Sequence, residues 1–157
     1  MGVQKLYTCT ASVRDPRRMR PEGGAVAEKT FVNPASVYAP TWQFNQAVKT
    51  RGGELLFVSG IVGYEPDGSI ARGDLVRQAE VAFENLRTVV EEAGGTMRDV
   101  VKVTVFLGES FELHKDRLRP IRARYFTEDF PASTLVQVAG FANPDYLFEI
   151  EAFAVIG

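Results

Sequence analysis

Residues 148–157 read FEIEAFAVIG, and this stretch decides the fold. Successive side chains of an extended strand point to opposite faces, so alternate residues share a face. One face is then uniformly apolar, with Phe148, Ile150, Ala152, Ala154 and Ile156. The opposite face carries two glutamates and then two apolar residues, Glu149, Glu151, Phe153 and Val155. The pattern predicts a strand covered on one face and leaves two interpretations of the glutamates, as solvated residues or as part of a half-buried site.

Composition limits the classes of function. The chain has 157 residues, a net charge of −2 and one cysteine, Cys9, so it predicts a single domain without disulfide bonds. A mildly acidic balance gives no support for binding nucleic acid. With His114 as the lone histidine, a zinc site is not expected. No apolar run reaches the ~18 residues of a membrane span and no secretory signal is evident, which predicts a cytoplasmic protein without a membrane partner.

The strongest helical signal lies in the middle of the chain. Apolar residues recur at steps of three and four between Leu75 and Ala93, Asp74 can cap the first turn, and Gly94-Gly95 ends the pattern. A second helix is predicted over 111–126, where Pro120 must lie in a first turn or cause a kink. Strands are predicted in VVKVTVFLG at 100–108, in STLVQVAG at 133–140 and in the closing stretch.

The N-terminal part gives weaker signals. QFNQAV at 43–48 and ELLFVSGIVGY at 54–64 are separated by RGG, which predicts a hairpin. Residues 1–40 show little periodicity beyond a short alternation in KLYTCTASV at 5–13, which favours an edge strand. We therefore predict an N-terminal extension over 1–40, acting as a lid or as an added strand, before one domain at 41–157.

The order of two strands, helix, strand, helix and two strands predicts an α+β fold with two helices on one face of a mixed sheet. Nothing in the chain supplies a layer for the other face. Six apolar strand residues offer more surface than one helix layer can bury: Val58, Val103, Val105, Val136, Val138 and Phe153. This surplus indicates oligomer contacts through the open face.

Several stretches in this order resemble the RidA/YjgF/YER057c family over residues 40–157. They are LLFVSG, QAEVAFENLRTVVEEAG, DVVKVTVFL, FPA before a valine-rich strand, and EIEAFAV. The resemblance implies a chorismate-mutase-like fold and a homotrimer with a central barrel and ligand clefts between subunits. It implies hydrolysis of enamines and imines to ketoacids and ammonia, with no cofactor.

The family's site residues map onto this chain with departures. The glutamate that positions or activates water falls on Glu149, as a general acid or base. The arginine that pairs with the substrate carboxylate falls on Ser133, followed by Thr134 and then by Leu135, where some members have cysteine. The tyrosine of the first strand falls on Phe44.

Two further positions differ. The glutamine after Ser-Gly becomes Ile61, and an asparagine of the second helix falls near Arg119. Serine cannot replace a bidentate guanidinium, whose buried pairing with a carboxylate contributes about 2–5 kcal/mol. The affinity for small 2-imino acids should therefore be reduced, and Arg119 or Arg122 is a possible substitute cation or part of a solvated helix face.

The remaining predicted ligand contacts are Trp42 and Asn45, which offer an aromatic floor with one amide or simply pack the first strand. Together with Phe44, Ile61 and Leu135 they enlarge the apolar surface, which favours a ligand larger or more aromatic than 2-aminoacrylate. The leading hypothesis is a cofactor-independent enzyme acting on an enamine, imine or related conjugated intermediate, by hydrolytic deamination, tautomerisation or cyclisation. The alternative is a trimer that binds metabolites in the same clefts without catalysis.

Overall fold

A computed structural model describes residues 27–40 and 42–157. The strands are β1 Glu28–Val32, β2 Ala47–Arg51, β3 Glu54–Val62, β4 Val100–Leu107, β5 Ala132–Gln137 and β6 Phe148–Ile156. The helices are α1 Leu75–Glu92 and α2 Phe111–Tyr125, with a short 3-10 helix at Met97–Asp99. No helix of the described residues is both long and apolar enough to cross a membrane.

The main sheet has four strands in the order β3-β6-β4-β5. β6 pairs antiparallel with both β3 and β4, whereas β4 and β5 run parallel, so the sheet is mixed. The predicted α+β fold with a mixed sheet and two helices is confirmed. The closing stretch that decides the fold forms a central strand, which explains why its apolar face is continuous.

The core lies between the helices and one sheet face. Phe148, Ile150, Ala152 and Ala154 of β6 are buried there, as the alternation predicted, and Val103 and Val105 of β4 lie beside them. The apolar stripe of α1 covers these residues. Asp74 caps α1 by accepting a hydrogen bond from the Arg77 N–H at 3.0 Å. Both predicted helices are confirmed, and α2 continues through Pro120 rather than starting there.

The predicted hairpin between 43–48 and 54–64 is wrong. β2 pairs antiparallel with β1, and the two form a separate two-stranded sheet, which we call the ribbon. The chain leaves the ribbon through Gly52 and Gly53, whose φ angles of 71° and 75° suit glycine. The glycines do mark a turn, but the strand that pairs with β2 is β1 and not β3. The edge strand predicted in KLYTCTASV lies outside the described residues.

The sheet face away from the helices, which we call the open face, is covered by nothing in the described chain. Phe57 and Leu55 of β3 expose 66% and 58% of their surface there. Val136 is also exposed, and Phe153 and Phe106 are half-buried. Six apolar residues were expected to offer more surface than one helix layer can bury. Three of them, Val58, Val103 and Val105, are instead buried beneath the helices, because the strand alternation turns them inward.

Candidate functional site

A cavity of about 360 Å³ lies on the helix side of the sheet, between α2, the edge strand β5 and the segment before β2. Five aromatic residues line it, Trp42, Phe44, Phe83, Phe111 and Phe148. Its other lining residues are three aliphatic ones, Val105, Leu118 and Leu135, and four polar or charged ones, Gln43, Ser133, Arg119 and Arg122. A concave apolar space with few polar groups has the character of a small-molecule site.

The periodicity of α2 and of β5 determines which of their residues form the cavity walls. Leu118, Arg119 and Arg122 lie on one side of α2, with Phe111 at its start. Ser133 and Leu135 alternate with Thr134 along β5, so they point to the helix side. The cavity therefore lies where α2 leaves the edge of the sheet uncovered.

Asn45 holds the aromatic wall in place. Its Nδ2 donates to the Phe130 carbonyl at 2.6 Å, and its Oδ1 accepts from Asn33 Nδ2 at 2.7 Å. The Asn45 N–H also donates to the Pro131 carbonyl at 3.3 Å. These bonds fasten the segment carrying Trp42 and Phe44 to the start of β5. Asn45 itself does not line the cavity, so its placement differs from the ligand contact predicted from the sequence.

Trp42 forms the rim. The Arg119 guanidinium lies 3.2 Å from the centre of the indole ring, and the Phe111 ring lies 5.4 Å from it on a tilted plane. Stacking of this kind is favourable for arginine on tryptophan. The rim thus combines a cation with an aromatic surface.

Arg122 lies deeper, with its guanidinium 4.8 Å from the Phe126 ring centre and donating to the Gln43 carbonyl at 2.9 Å. Burial lowers its pKa to about 10, which leaves it protonated at neutral pH. The other arginines of α2 point elsewhere: Arg124 pairs with Glu80 at 3.0 Å, and Arg117 lies on the outer surface.

Glu149 is on the other side of the sheet from the cavity. It is half-buried on the open face, paired in register with Phe106 and Val62. Its carboxylate occupies the space above Gly60, at an irregularity in β3 where the register shifts between Val58 and Ile61. A Cβ at position 60 would overlap that carboxylate.

Two more of the predicted residues lie away from the cavity. Thr134 faces the open side, where the Lys102 ammonium donates to its hydroxyl. Glu151 is near Lys102 as well: burial lowers the pKa of Lys102, and the Glu151 charge opposes that shift. Ile61 packs against the core. The structure therefore brings together Trp42, Phe44, Arg119, Ser133 and Leu135, and it separates Glu149, Thr134, Asn45 and Ile61 from them.

Sequence reasoning assigned Phe83, Phe111 and Phe148 to helices and strands without connecting them to a site. Their apolar character is the same whether they fill a core or line a cavity. The signal that was available is the spacing of Leu118, Arg119 and Arg122, which places a cation next to an apolar residue on one helix side.

Comparison with known proteins decides the family. The sequence profile of the family described as Endoribonuclease L-PSP matches residues 35–156. The chain belongs to the Rid/YjgF/L-PSP family. A RutC family protein of Pyrococcus abyssi is 36% identical over 116 residues, which are 73% of this chain and 87% of the relative. The RutC family protein YjgH of Escherichia coli is 32% identical over 131 residues, 83% of this chain and 98% of the relative.

Solved structures of the Rid family share the fold. The Rid family protein YyfB of Yersinia pestis superposes with a TM-score of 0.74 at 29% identity, over 82% of this chain and 98% of the other. RidA of an Antarctic Psychrobacter species gives a TM-score of 0.60 at 31% identity, over 81% of this chain and 99% of the other. Rid-family membership, expected from the sequence motifs, is thereby confirmed.

In the described part of this Rid-family chain, no group of three histidine, cysteine or acidic residues lies close enough to hold a metal ion.

Proposed function

We propose that this Rid-family chain is a cofactor-independent enzyme that hydrolyses an enamine or imine with an apolar or aromatic side chain. One observation carries the proposal. Phe44 is far in sequence from Ser133 and Leu135 of β5, and all three, the counterparts of family site residues, line one cavity. The aromatic walls favour a larger or more aromatic substrate than 2-aminoacrylate, whose small side chain would leave most of the cavity empty.

The reaction requires a group that moves protons. Water adds to the imine carbon, the carbon–nitrogen bond then breaks, and the products are a ketoacid and ammonia. Glu149 is suited to take a proton from the water and return one to the leaving nitrogen. No carboxylate of the described residues lines the cavity of the same chain. We therefore propose that Glu149 of a neighbouring copy completes each site.

A homotrimer is the assembly that we propose for this purpose. The open face exposes Phe57 and Leu55 on the same side of the sheet as Glu149, and burial of these side chains against another copy would be favourable. A copy that covers this face with its β5 edge would bring its own Ser133 and Leu135 toward Glu149. Every subunit would then contribute its cavity to one site and its glutamate to another.

The test is hydrolysis of 2-imino acids generated in situ by an amino-acid oxidase, with phenylalanine and alanine as precursors. We expect the wild type to accelerate ketoacid release, more strongly for the aromatic substrate. Glu149→Gln should reduce that acceleration by about a hundredfold or more, because an amide cannot move the proton. Glu151→Gln, on the same face of β6, is the matched control and should keep most of it.

Ser133→Arg adds the family's guanidinium and reports on substrate size. If it creates activity that the wild type lacks, the hydrolase assignment of the natural chain is wrong. Equal activity of Glu149→Gln and wild type, with both proteins folded by circular dichroism, would reject the role of Glu149.

The second function is metabolite binding without catalysis, and it is favoured because none of the described residues that line the cavity is a carboxylate or a histidine. It predicts saturable binding of aromatic compounds, no turnover, and equal binding by wild type and Glu149→Gln.

A further inference from the structure

Arg122 is a cation without a counter-ion among the described residues. Its neighbour on the same helix, Arg124, pairs with Glu80 at 3.0 Å, and Arg77 and Arg87 of α1 also pair with glutamates. Arg122 has no such carboxylate within residues 27–40 and 42–157, and its one hydrogen bond there is to a neutral carbonyl, that of Gln43. The guanidinium faces a cavity whose lining is mainly apolar.

Such a placement is costly. Removing a guanidinium from water without a paired anion is unfavourable, and the lowered pKa of Arg122 reflects that cost. A guanidinium has five N–H donors, and the Gln43 carbonyl occupies one of them. The remaining donors form a planar fork suited to the two oxygens of a carboxylate.

The charge around the cavity has one sign. Arg119 and Arg122 line it, and no aspartate or glutamate among residues 27–40 and 42–157 does. A cleft with apolar walls and charges of one sign concentrates ligands of the other sign. The aromatic rings of Trp42, Phe44 and Phe111 add flat apolar surface around the same space. The ligand that fits both features has an aromatic or conjugated body and a carboxylate.

We infer that Arg122 is the anion anchor of this cavity, and that its ligand is a small aryl or conjugated carboxylate held by the guanidinium at one end and by the aromatic wall at the other. The anchor reaches the ligand from α2 rather than from β5, where Ser133 lies. This inference deepens the proposed function by naming the substrate class, but it concerns binding and does not depend on turnover.

The chain supplies its own probe. Trp42 is the single tryptophan and lines the cavity, so ligand binding should change its fluorescence. The ligands are phenylacetate and its neutral counterpart phenylacetamide, and the variants are Arg122→Gln, Arg122→Lys and Arg124→Gln. We expect the wild type and Arg124→Gln to prefer phenylacetate by about tenfold or more. Arg122→Gln should lose this preference while its affinity for phenylacetamide stays within about twofold, and Arg122→Lys should keep part of it.

Binding of phenylacetamide shows that each variant retains its cavity, so loss of folding cannot imitate the expected result. If Arg122→Gln does not fold, Arg122→Lys is the deciding variant. A preference for phenylacetate that is unchanged in Arg122→Lys would show that the planar guanidinium does not bind the carboxylate through two hydrogen bonds. An equal preference in Arg122→Gln and wild type would mean that Arg122 only fastens α2 to Gln43, and the inference fails. It also fails if the wild type does not bind phenylacetate at concentrations up to ~10 mM.

The two proposals fail separately. Arg122-dependent binding without imine hydrolysis would reject the proposed enzyme and keep the anchor. Hydrolysis that depends on Glu149, with an unchanged KM in Arg122→Gln, would keep the enzyme and reject the anchor.

Discussion

Gly60 sets the position of the Glu149 carboxylate. Its Cα lies beneath the carboxylate, and any Cβ there would occupy the same space. The backbone at this glycine does not require a positive φ, so the restriction comes from the neighbouring side chain alone. A glutamate on a strand is normally free to move; here the irregularity in β3 makes a recess for it.

Gly60→Ala should therefore alter function rather than folding. We expect the carboxylate to move by about an ångström and the imine hydrolysis to fall about ten- to a hundredfold, because small displacements of a reacting group are costly. The measurement is turnover beside a thermal unfolding curve. Gly140→Ala is the control, since no atom lies within 4 Å of the added Cβ.

If Gly60→Ala and Gly140→Ala both keep the turnover of the wild type, the recess does not determine activity.

Gln78 joins the first helix to two loops. It is fully buried, its Nε2 donates to the carbonyls of Ala71 and Asp145 at 2.9 and 2.8 Å, and its Oε1 accepts from the Leu147 N–H at 2.8 Å. α1 can lie this close to β3 because Gly63 has no side chain: a Cβ there would be 2.6 Å from the Gln78 Cα. One amide thus satisfies three backbone groups of two loops.

Replacing Gln78 by alanine should destabilise the fold by about 2–4 kcal/mol, because it leaves buried donors and acceptors unpaired. Urea unfolding followed by far-ultraviolet circular dichroism measures this change. Thr88→Ala, at an exposed position of the same helix, should stay within about 0.5 kcal/mol of wild type. A Gln78→Ala variant as stable as Thr88→Ala would contradict the role given to the amide.

The elements that could be predicted from sequence are those whose evidence is local. α1 has a capping aspartate, a regular apolar spacing and a terminal glycine pair, and β6 has strict alternation. The pairing of β2 could not be predicted in the same way, because the sequence of β1, EKTFV, has no apolar alternation that would mark it as a strand, whereas the apolar β3 follows β2 directly after the glycine turn. Turn chemistry at Gly52 and Gly53 showed where the chain bends and not which strand lies alongside.

The site divides similarly. Motif resemblance identified Phe44, Ser133 and Leu135, which the fold brings to one cavity. It also placed Glu149 with them, although Glu149 and the cavity lie on opposite faces of the sheet within one chain. Alternation along β5 and β6 shows which residues of each strand point to the same side. Whether residues of the two strands lie on the same face of the sheet depends on the order in which the strands pair. The position of Arg122 against Gln43 depends on how α2 packs, and sequence spacing does not determine this packing.

At the scale of the whole molecule, the open face and the cavity are two surfaces that meet no complementary surface within the described part of a single chain. The open face has exposed aromatic and aliphatic side chains, and the cavity lining, in the part of the chain that the structure describes, has cations and no acids. A homotrimer in which each surface meets its complement on a neighbour would account for both.

Subunit mixing tests that arrangement. Glu149→Gln keeps an intact cavity, and Leu135→Trp should fill it while keeping Glu149. If each site combines a cavity from one copy and a glutamate from another, random mixing of the two inactive variants in equal amounts should restore about a quarter of wild-type turnover. Refolding from urea allows the exchange, and each variant refolded alone is the control.

No recovery in a mixture shown to contain hybrid oligomers would place both groups of a site in one chain.

The arrangement of the two surfaces also bears on how such a protein can diversify. The cavity walls come from α2, β5 and the segment at Trp42, whereas the carboxylate belongs to the reverse side of the sheet. Within one chain, substitutions that reshape the walls do not touch the carboxylate, and the converse also holds. Selection can thus exchange one ligand for another on this scaffold while Glu149 keeps its place, as expected where many functions share one fold.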